Sequence, residues 1–530
     1  MRCLLPVLLA LAPLLAGQGT AVEDWTRTVT LSGANTHGVM VARDASDAIY
    51  VTGHYPYDRI ITAKFAADGT PLWQRTFQDP VLHFQASWIA IDPFGDVLVA
   101  GYQVSPSVTQ QLGLVVLKYD PAGTLLWSEV ISGSFNASAR IAADPNGDVV
   151  VVGVAPALVP GGLVRKYTRT GAFLWNAAVP GRVTGLQIDA NGTIFVAGNA
   201  ATTLTVQAFD PAGNTLWAHT QPNATGATDV ALGPNGEVYA SGALLSATTQ
   251  DKSLIIKFAP SGALLWAQNY PGTQARRLAV DSRGDIVFLA ARSPGGGYFN
   301  WVTRKITAAG ATVWEATYDQ HSSNDEIPNA IVIGPDDEIY VAGQGGPGPT
   351  SGTLSYQREV TVRYSRAGVQ EWAASSFTSS NGVGVVLLGD GSVATVGQST
   401  FTLFHYLQRG VWRSLGGALA GTHAPRLAGA GSPVANAPVQ LELTQGTPNV
   451  PVWLVVGFSR IEVPFLGGTL VPAVDLVLFA GTDGSGAMAL PFPWPPGLPP
   501  GLELTVQAWL SDAGAPAGYA ASNALVAVSG

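Results

Sequence analysis

VVLKYDPAGTLLWSEVISGSFNASARIAADPNGDVVVVG, Val115 to Gly153, reads as four short strands separated by turns. Alternating Val, Ile and Tyr mark the strands. Asp144-Pro-Asn-Gly147 marks a tight turn, because Asp caps its own backbone and Gly accepts a left-handed conformation. The stretch begins on the third strand of one repeat unit and ends on the second strand of the next.

Versions of it recur along most of the chain. A Trp closes a strand soon after a Gly turn at Trp73, Trp127, Trp175, Trp217, Trp266, Trp314 and Trp372. Trp25, in EDWTRTVT, has the strand but not the turn before it. Including Trp25, the spacings run from 42 to 58 residues, the range of propeller blades. The strand–turn–strand signature that follows each Trp (AIDPFGDVLVAG, AADPNGDVVVVG, QIDANGTIFVAG and relatives) occurs eight times. A third strand of the type VVLKYDPAG also occurs eight times, the last copy, FTLFHYLQRG, being degenerate.

The Trp strand reaches eight only if Trp25 is counted. EDWTRTVT is therefore expected to supply the outer strand of the last blade, which closes the ring and removes an exposed sheet edge. The expectation is an all-β chain with an eight-bladed β-propeller over 22–408, seven blades being the alternative. Each repeat Trp is expected to dock on the neighbouring blade, since packing recurs in every blade whereas a ligand site need not.

The pattern DxxGxxxVxG followed by KxDxxGxxxW resembles the bacterial SBBP-type propeller repeats of exported proteins. The Trp ending is similar to the tryptophan-docking repeats of quinoproteins and of the outer-membrane assembly propeller. The resemblance implies a propeller fold and leaves function open, because this fold hosts binding, scaffolding and catalysis alike. Quinone-dependent dehydrogenases of this fold place adjacent cysteines at the cofactor and an acidic residue, Asn and Asp on calcium. No matching assembly is present here, so no cofactor is expected.

After residue 408 the character changes. PVQLELT, VPVWLVVGFS, VDLVLFAGT, GAMALPF, LELTVQAWLSD and NALVAVS read as strands of a small antiparallel β-sandwich over 409–530. WRSLGGALAG, PFLGGTLVP (464–472) and PPGLELTVQAW resemble a tail domain of large exported proteins of planctomycetes, which implies surface targeting at most. Pro491 to Pro500 reads as a rigid loop between two strands.

The N-terminus pairs Arg2 with an apolar run, Leu4 to Leu15, and small residues at Gly19 and Ala21. This is the pattern of a cleaved secretory signal over 1–21. It implies a secreted, cell-surface or periplasmic protein. Cys3 is the only cysteine and lies before the apolar run, so the mature chain would form neither disulfides nor thiolate sites. The 530 residues are 47% hydrophobic and 12% charged, with 62 Gly, 36 Pro and a net charge of −9. That is a turn-rich folded chain, not a disordered one. Lys and Arg are not clustered, so no nucleic-acid partner is expected, and no later segment has the length of a membrane span. A monomer is expected.

Signals of chemistry are sparse. Asp92-Pro-Phe-Gly-Asp96 and Asp144-Pro-Asn-Gly-Asp148 lack the alternating oxygen ligands of a calcium loop and read as turns. The seven His form no HExxH, and GxSxG and GxxxxGK[ST] are absent. No catalytic or metal-ligating residue is assigned. The candidate site is the mouth of the central channel. The fourth position before each inner-strand turn gives Met40, Trp88, Arg140, Gly185, Asp229, Arg277, Ala330 and Gly384. Trp88, Arg140, Asp229 and Arg277 stand out as possible ligand contacts, with the two Arg holding an anion and Trp88 stacking. The function expected is a non-enzymatic binding or scaffolding propeller, its partner a protein or a surface glycan. The alternatives are a propeller-type lyase or lactonase at the channel and a glycan adhesin using Trp453, Trp494 or Trp509.

Overall fold

The computed structural model describes residues 20–30, 36–55, 58–105, 111–135, 139–154, 161–200, 202–244, 252–293, 298–319, 325–345 and 358–530. Cys3 and the apolar run of the expected export signal lie outside them. Glu23–Tyr406 forms one compact unit, and Leu407–Gly530 lies in a second. Strands dominate both, and among the described residues no helix is long and apolar enough to cross a membrane.

Within the first unit, the described residues form eight four-stranded antiparallel sheets. Seven are continuous in sequence, such as His83–Ile91, Val97–Val104, Gln111–Tyr119 and Leu125–Phe135. The eighth combines Gly382–Leu387, Val393–Gly397 and Thr402–Arg409 with the N-terminal strand Thr20–Thr28 on its outer edge. The first strand of each sheet packs on the first strand of the next, and Gly382–Leu387 packs back on His37–Arg43, so the inner strands close a ring. The arrangement is that of a propeller. The second strands are almost continuously apolar because neighbouring sheets bury both of their faces. Val97, Leu98, Val99 and Ala100 are all fully buried.

The Trp strands behave as expected. Trp73 Nε1 donates to the Pro121 carbonyl at 3.0 Å and Trp127 Nε1 to the Arg169 carbonyl at 3.1 Å, each in the next sheet. The ring lies on a turn glycine there: Gly123 has φ +84°, and a Cβ at this position would stand 2.8 Å from the Trp73 ring. Only glycine meets both conditions. Ring closure repeats the contact. Trp25 lies against Gly69, and Arg27 Nε donates to the Gly69 carbonyl at 2.8 Å, as Arg75 Nε does to that of Gly123 at 2.7 Å.

The Asp-led turns are turns with an added role. Asp92 Oδ1 accepts from the backbone of Phe94 and Asp96, while Oδ2 takes the Lys118 ammonium at 2.8 Å. Lys118 also lies 3.2 Å from Asp96, and all three side chains are buried. Lys166 with Asp144 and Lys305 with Asp281 repeat the pair. A buried charge persists when paired and fully hydrogen-bonded, and that is why Lys recurs in KYDPAG and its relatives.

In the second unit, one sheet runs in the order Val411–Gly416, Ala524–Val528, Glu503–Ser511, Pro451–Gly457 and Leu476–Gly481, with Tyr519–Ala521 also paired to Glu503–Ser511. A second sheet joins Arg426–Ala430, Pro438–Thr444 and Met488–Pro493. Leu427, Leu441 and Trp494 share one apolar core with Leu454, Val506 and Leu525 of the larger sheet. A hairpin, Arg460–Phe465 with Gly468–Pro472, was not among the expected strands. One alternative falls and one expectation needs correction. Trp494 and Trp509 are buried core residues and Trp453 is half-buried, edge-on to Tyr519, so these rings do not form a glycan-binding platform. Pro491 and Pro493 pair within a strand opposite Gln440 and Pro438, so the Pro cluster is not wholly a loop.

Candidate functional site

Seven of the inner strands carry a defect at the same place. In six of them a single extra residue interrupts pairing with the second strand: Val39, Ser87, Thr184, Arg276, Asn329 and Val383. In Ala224–Leu232 three residues, Gly226 to Thr228, stand opposite the single Gly242, so two are extra. The eighth inner strand begins at Arg140, just after the equivalent Ala139. An extra residue turns the local side-chain direction and bends the strand.

The bulges build the channel. A cavity of about 570 Å³ is lined by residues from all eight inner strands or the residue just before them; the bulges contribute Val39, Ser87, Thr184, Thr228, Arg276, Asn329 and Val383, and Ala139 stands at the corresponding place. Bulge side chains also tie neighbouring sheets together. Ser87 Oγ donates to the Ala139 carbonyl at 2.7 Å and Thr184 Oγ1 to that of Ala227 at 2.6 Å. Arg276 donates to Asn329 Oδ1 at 3.3 Å, and Asn329 Nδ2 to the Gly382 carbonyl at 2.9 Å.

The expected channel positions lie one residue further on, and they divide. Met40, Trp88, Arg140 and Arg277 line the cavity; Gly185, Asp229, Ala330 and Gly384 are not among its lining residues. The last four are buried. A Cβ on Gly185 would meet Val230 at 2.9 Å, and one on Gly384 would meet Val41 at the same distance. A small residue therefore belongs where adjacent strands touch. Asp229 turns from the cavity, its Oδ2 3.4 Å from the backbone nitrogen of Leu278 on the next inner strand.

Three of the four singled-out residues thus converge. The Arg140 guanidinium lies 4.0 Å from the centre of the Trp88 ring, and that of Arg277 lies 5.9 Å from it. Both are cation–π distances. Arg140 is only 9% exposed, and burial, reinforced by the charge of Arg277, pulls its pKa down to about 10 against the opposing pull of Asp229. Arg276 is lowered in the same way, by burial and then by Arg277. Arg182 is the fourth guanidinium on the wall. Sequence reading missed Arg276 and Arg182. Arg276 would have been found by shifting the register one residue at a bulge, and Arg182 opens its own strand, two residues before Thr184.

The described lining residues include no carboxylate, His, Cys, Lys or Tyr. Among the described residues Arg140, Arg276 and Arg277 make no ion pair within 4 Å, and no group of three or more His, Cys, Asp or Glu is placed to hold a metal ion. The site offers cations, an aromatic face and hydroxyls already engaged, those of Ser87 and Thr184 with backbone carbonyls and that of Thr228 with Ser241.

A family model described as outer membrane protein assembly factor BamB matches residues 20–202 and 112–344. Curated proteins give no match. Among solved structures, the Dos1 propeller is similar over 74% of this chain and 95% of its own, at 8% identity and a TM-score of 0.49. The structure of streptogramin B lyase is similar over 73% of this chain and 98% of its own, at 12% identity and a TM-score of 0.41. The β-propeller domain of the Trilobed protease from Pyrococcus furiosus is similar over 62% and 94%, at 9% identity and a TM-score of 0.38.

Proposed function

The chain belongs to the family of the outer membrane protein assembly factor BamB, and on that premise we propose that it is an exported, non-enzymatic, eight-bladed propeller that binds or scaffolds a partner through its central channel. The lining of that channel carries the reading. General acid–base chemistry needs a group that exchanges a proton near neutral pH, and nucleophilic chemistry needs a hydroxyl or thiol beside a base. The described wall presents guanidiniums, amides and hydroxyls already hydrogen-bonded to protein groups instead, which are tools of recognition.

The C-terminal unit is read as a β-sandwich tail that assists association with a protein or a surface. Its edge strand Leu476–Gly481 exposes Leu476, Leu478 and Phe479, the last at 76%, and contiguous exposed apolar side chains mark contact surfaces. Export to the periplasm, the cell surface or the medium is read from the N-terminal pattern, with cleavage near Ala21. Such cleavage leaves Glu23 to Thr28 to complete the eighth sheet.

Elemental analysis of protein purified without chelator tests the non-enzymatic reading. No stoichiometric metal is expected. One calcium or zinc per chain, lost on Asn199→Ala at the cavity wall, would overturn it. Mass spectrometry of the secreted chain tests export through the expected new N-terminus near Val22.

A further inference from the structure

We propose that the channel cavity is a binding site for a multivalent oxyanion, a ligand carrying two or more carboxylate or phosphate groups. The inference rests on the channel being the binding site of this propeller and names the chemistry it takes.

The argument begins with charge. The chain as a whole carries −9, yet four guanidiniums, Arg140, Arg182, Arg276 and Arg277, line one cavity. The described lining residues include no carboxylate; Asp229 lies nearby and accepts from the backbone of Leu278. Like charges gathered in a partly desolvated space repel one another and cost stability. The lowered pKa of Arg140 and of Arg276 both trace to burial and to the charge of Arg277. Packing alone does not require them: the inner-strand positions equivalent to Arg140 and Arg277 hold Gly185, Ala330 and Gly384 in other sheets, and those equivalent to Arg276 hold Val39 and Val383. An anion would relieve the repulsion and use the low-dielectric walls to strengthen each contact.

Geometry then narrows the ligand. Guanidinium forks suit the paired oxygens of carboxylate and phosphate. Trp88 sits against both Arg140 and Arg277, which holds these two cations on one part of the wall. Arg276 is held in place by Asn329. A cavity of about 570 Å³ accepts a small molecule or the tip of a peptide loop. A monovalent anion would reach one of Arg140 and Arg277 and leave the other without an ion pair, so a ligand with several charged groups is selected.

Isothermal titration calorimetry at fixed ionic strength, with chloride as the reference, tests the site. The probes are citrate, pyrophosphate and a hexaglutamate peptide. One of them at least is expected to bind at one site per chain. Binding is expected to weaken about 10-fold or more in Arg277→Gln and in Arg140→Gln, the scale of one lost charged hydrogen bond, and to stay unchanged in Arg169→Gln, whose guanidinium lies over Phe94 outside the cavity. Arg277 is half-buried, so its variant keeps the test open should Arg140→Gln fail to fold, and thermal melts check both. Tight binding of citrate or pyrophosphate without the peptide identifies a free oxyanion, and the reverse identifies an acidic polypeptide segment; both uphold the site. Absence of binding by all three probes, or binding indifferent to Arg140 and Arg277, overturns it. Elemental analysis on the same preparation separates this outcome from failure of the non-enzymatic reading: absent anion binding in a metal-free protein removes only the ligand assignment.

Discussion

The two ends of each inner strand bury charge by opposite rules. At the turn end, Lys118 lies between Asp92 and Asp96, and the arrangement recurs at Lys166 and Lys305. These charges are periodic, paired and fully buried. At the channel end, Arg140 is also buried, but among the equivalent positions of the other sheets only Arg277 repeats it, and neither has an ion pair among the described residues. Periodic charge belongs to the fold, which must solve the same packing problem eight times. Aperiodic, unbalanced charge does not serve the repeat, and it is where a ligand belongs.

Glu359 is a third instance. It is fully buried in the third strand of the seventh sheet, where other sheets place Ile60, Leu114, Gly162, Leu204, Ser253 and Trp301, none of them charged. Burial pushes its carboxyl up to about 7, against the hydrogen bonds donated by Thr361, Tyr406 and Thr395.

The contrast is open to measurement. Lys118→Met leaves buried Asp92 without its cation, while Asp96 keeps Arg169 at 3.3 Å, and is expected to cost about 3–5 kcal/mol in urea unfolding. A loss near zero would mean that the periodic pair does not support the fold. Glu359 binds its proton more tightly folded than unfolded, so its contribution is full below about pH 4.5 and declines as pH rises to about 7. The decline is on the order of 3 kcal/mol. His54 acts in the opposite direction, since burial, with the charge of His37, lowers it to about 4. The difference between wild type and Glu359→Gln isolates the glutamate, and a pH-independent difference would remove this assignment. Thr184→Val deletes one bulge-to-carbonyl bond and is expected to cost about 1 kcal/mol, read as a small fall in Tm. Arg140→Met is expected to change stability least, by less than about 1 kcal/mol, because lost cation–π contact offsets relieved repulsion. A loss as large as that of Lys118→Met would erase the distinction between the two ends.

Much of this was legible in the repeat. Spacing and turn chemistry located the strands, the Trp count placed Thr20–Thr28 in the last sheet, and the departure of Trp88, Arg140 and Arg277 from the pattern marked the channel. Lys118 was visible as a repeated letter but not as a partner of Asp92, because they are 26 residues apart and meet only across the sheet.

The sequence by itself determined the architecture, since local alternation, turn residues and a period of about 50 all point to one fold. Tertiary structure alone decided which side chains face the channel. Strand periodicity assumes an unbroken ladder, and the bulges in seven of the inner strands displace the inward-facing positions. That displacement admits Arg276 to the cavity wall and turns Asp229 away from it, which leaves the channel more positive than its sequence positions suggested.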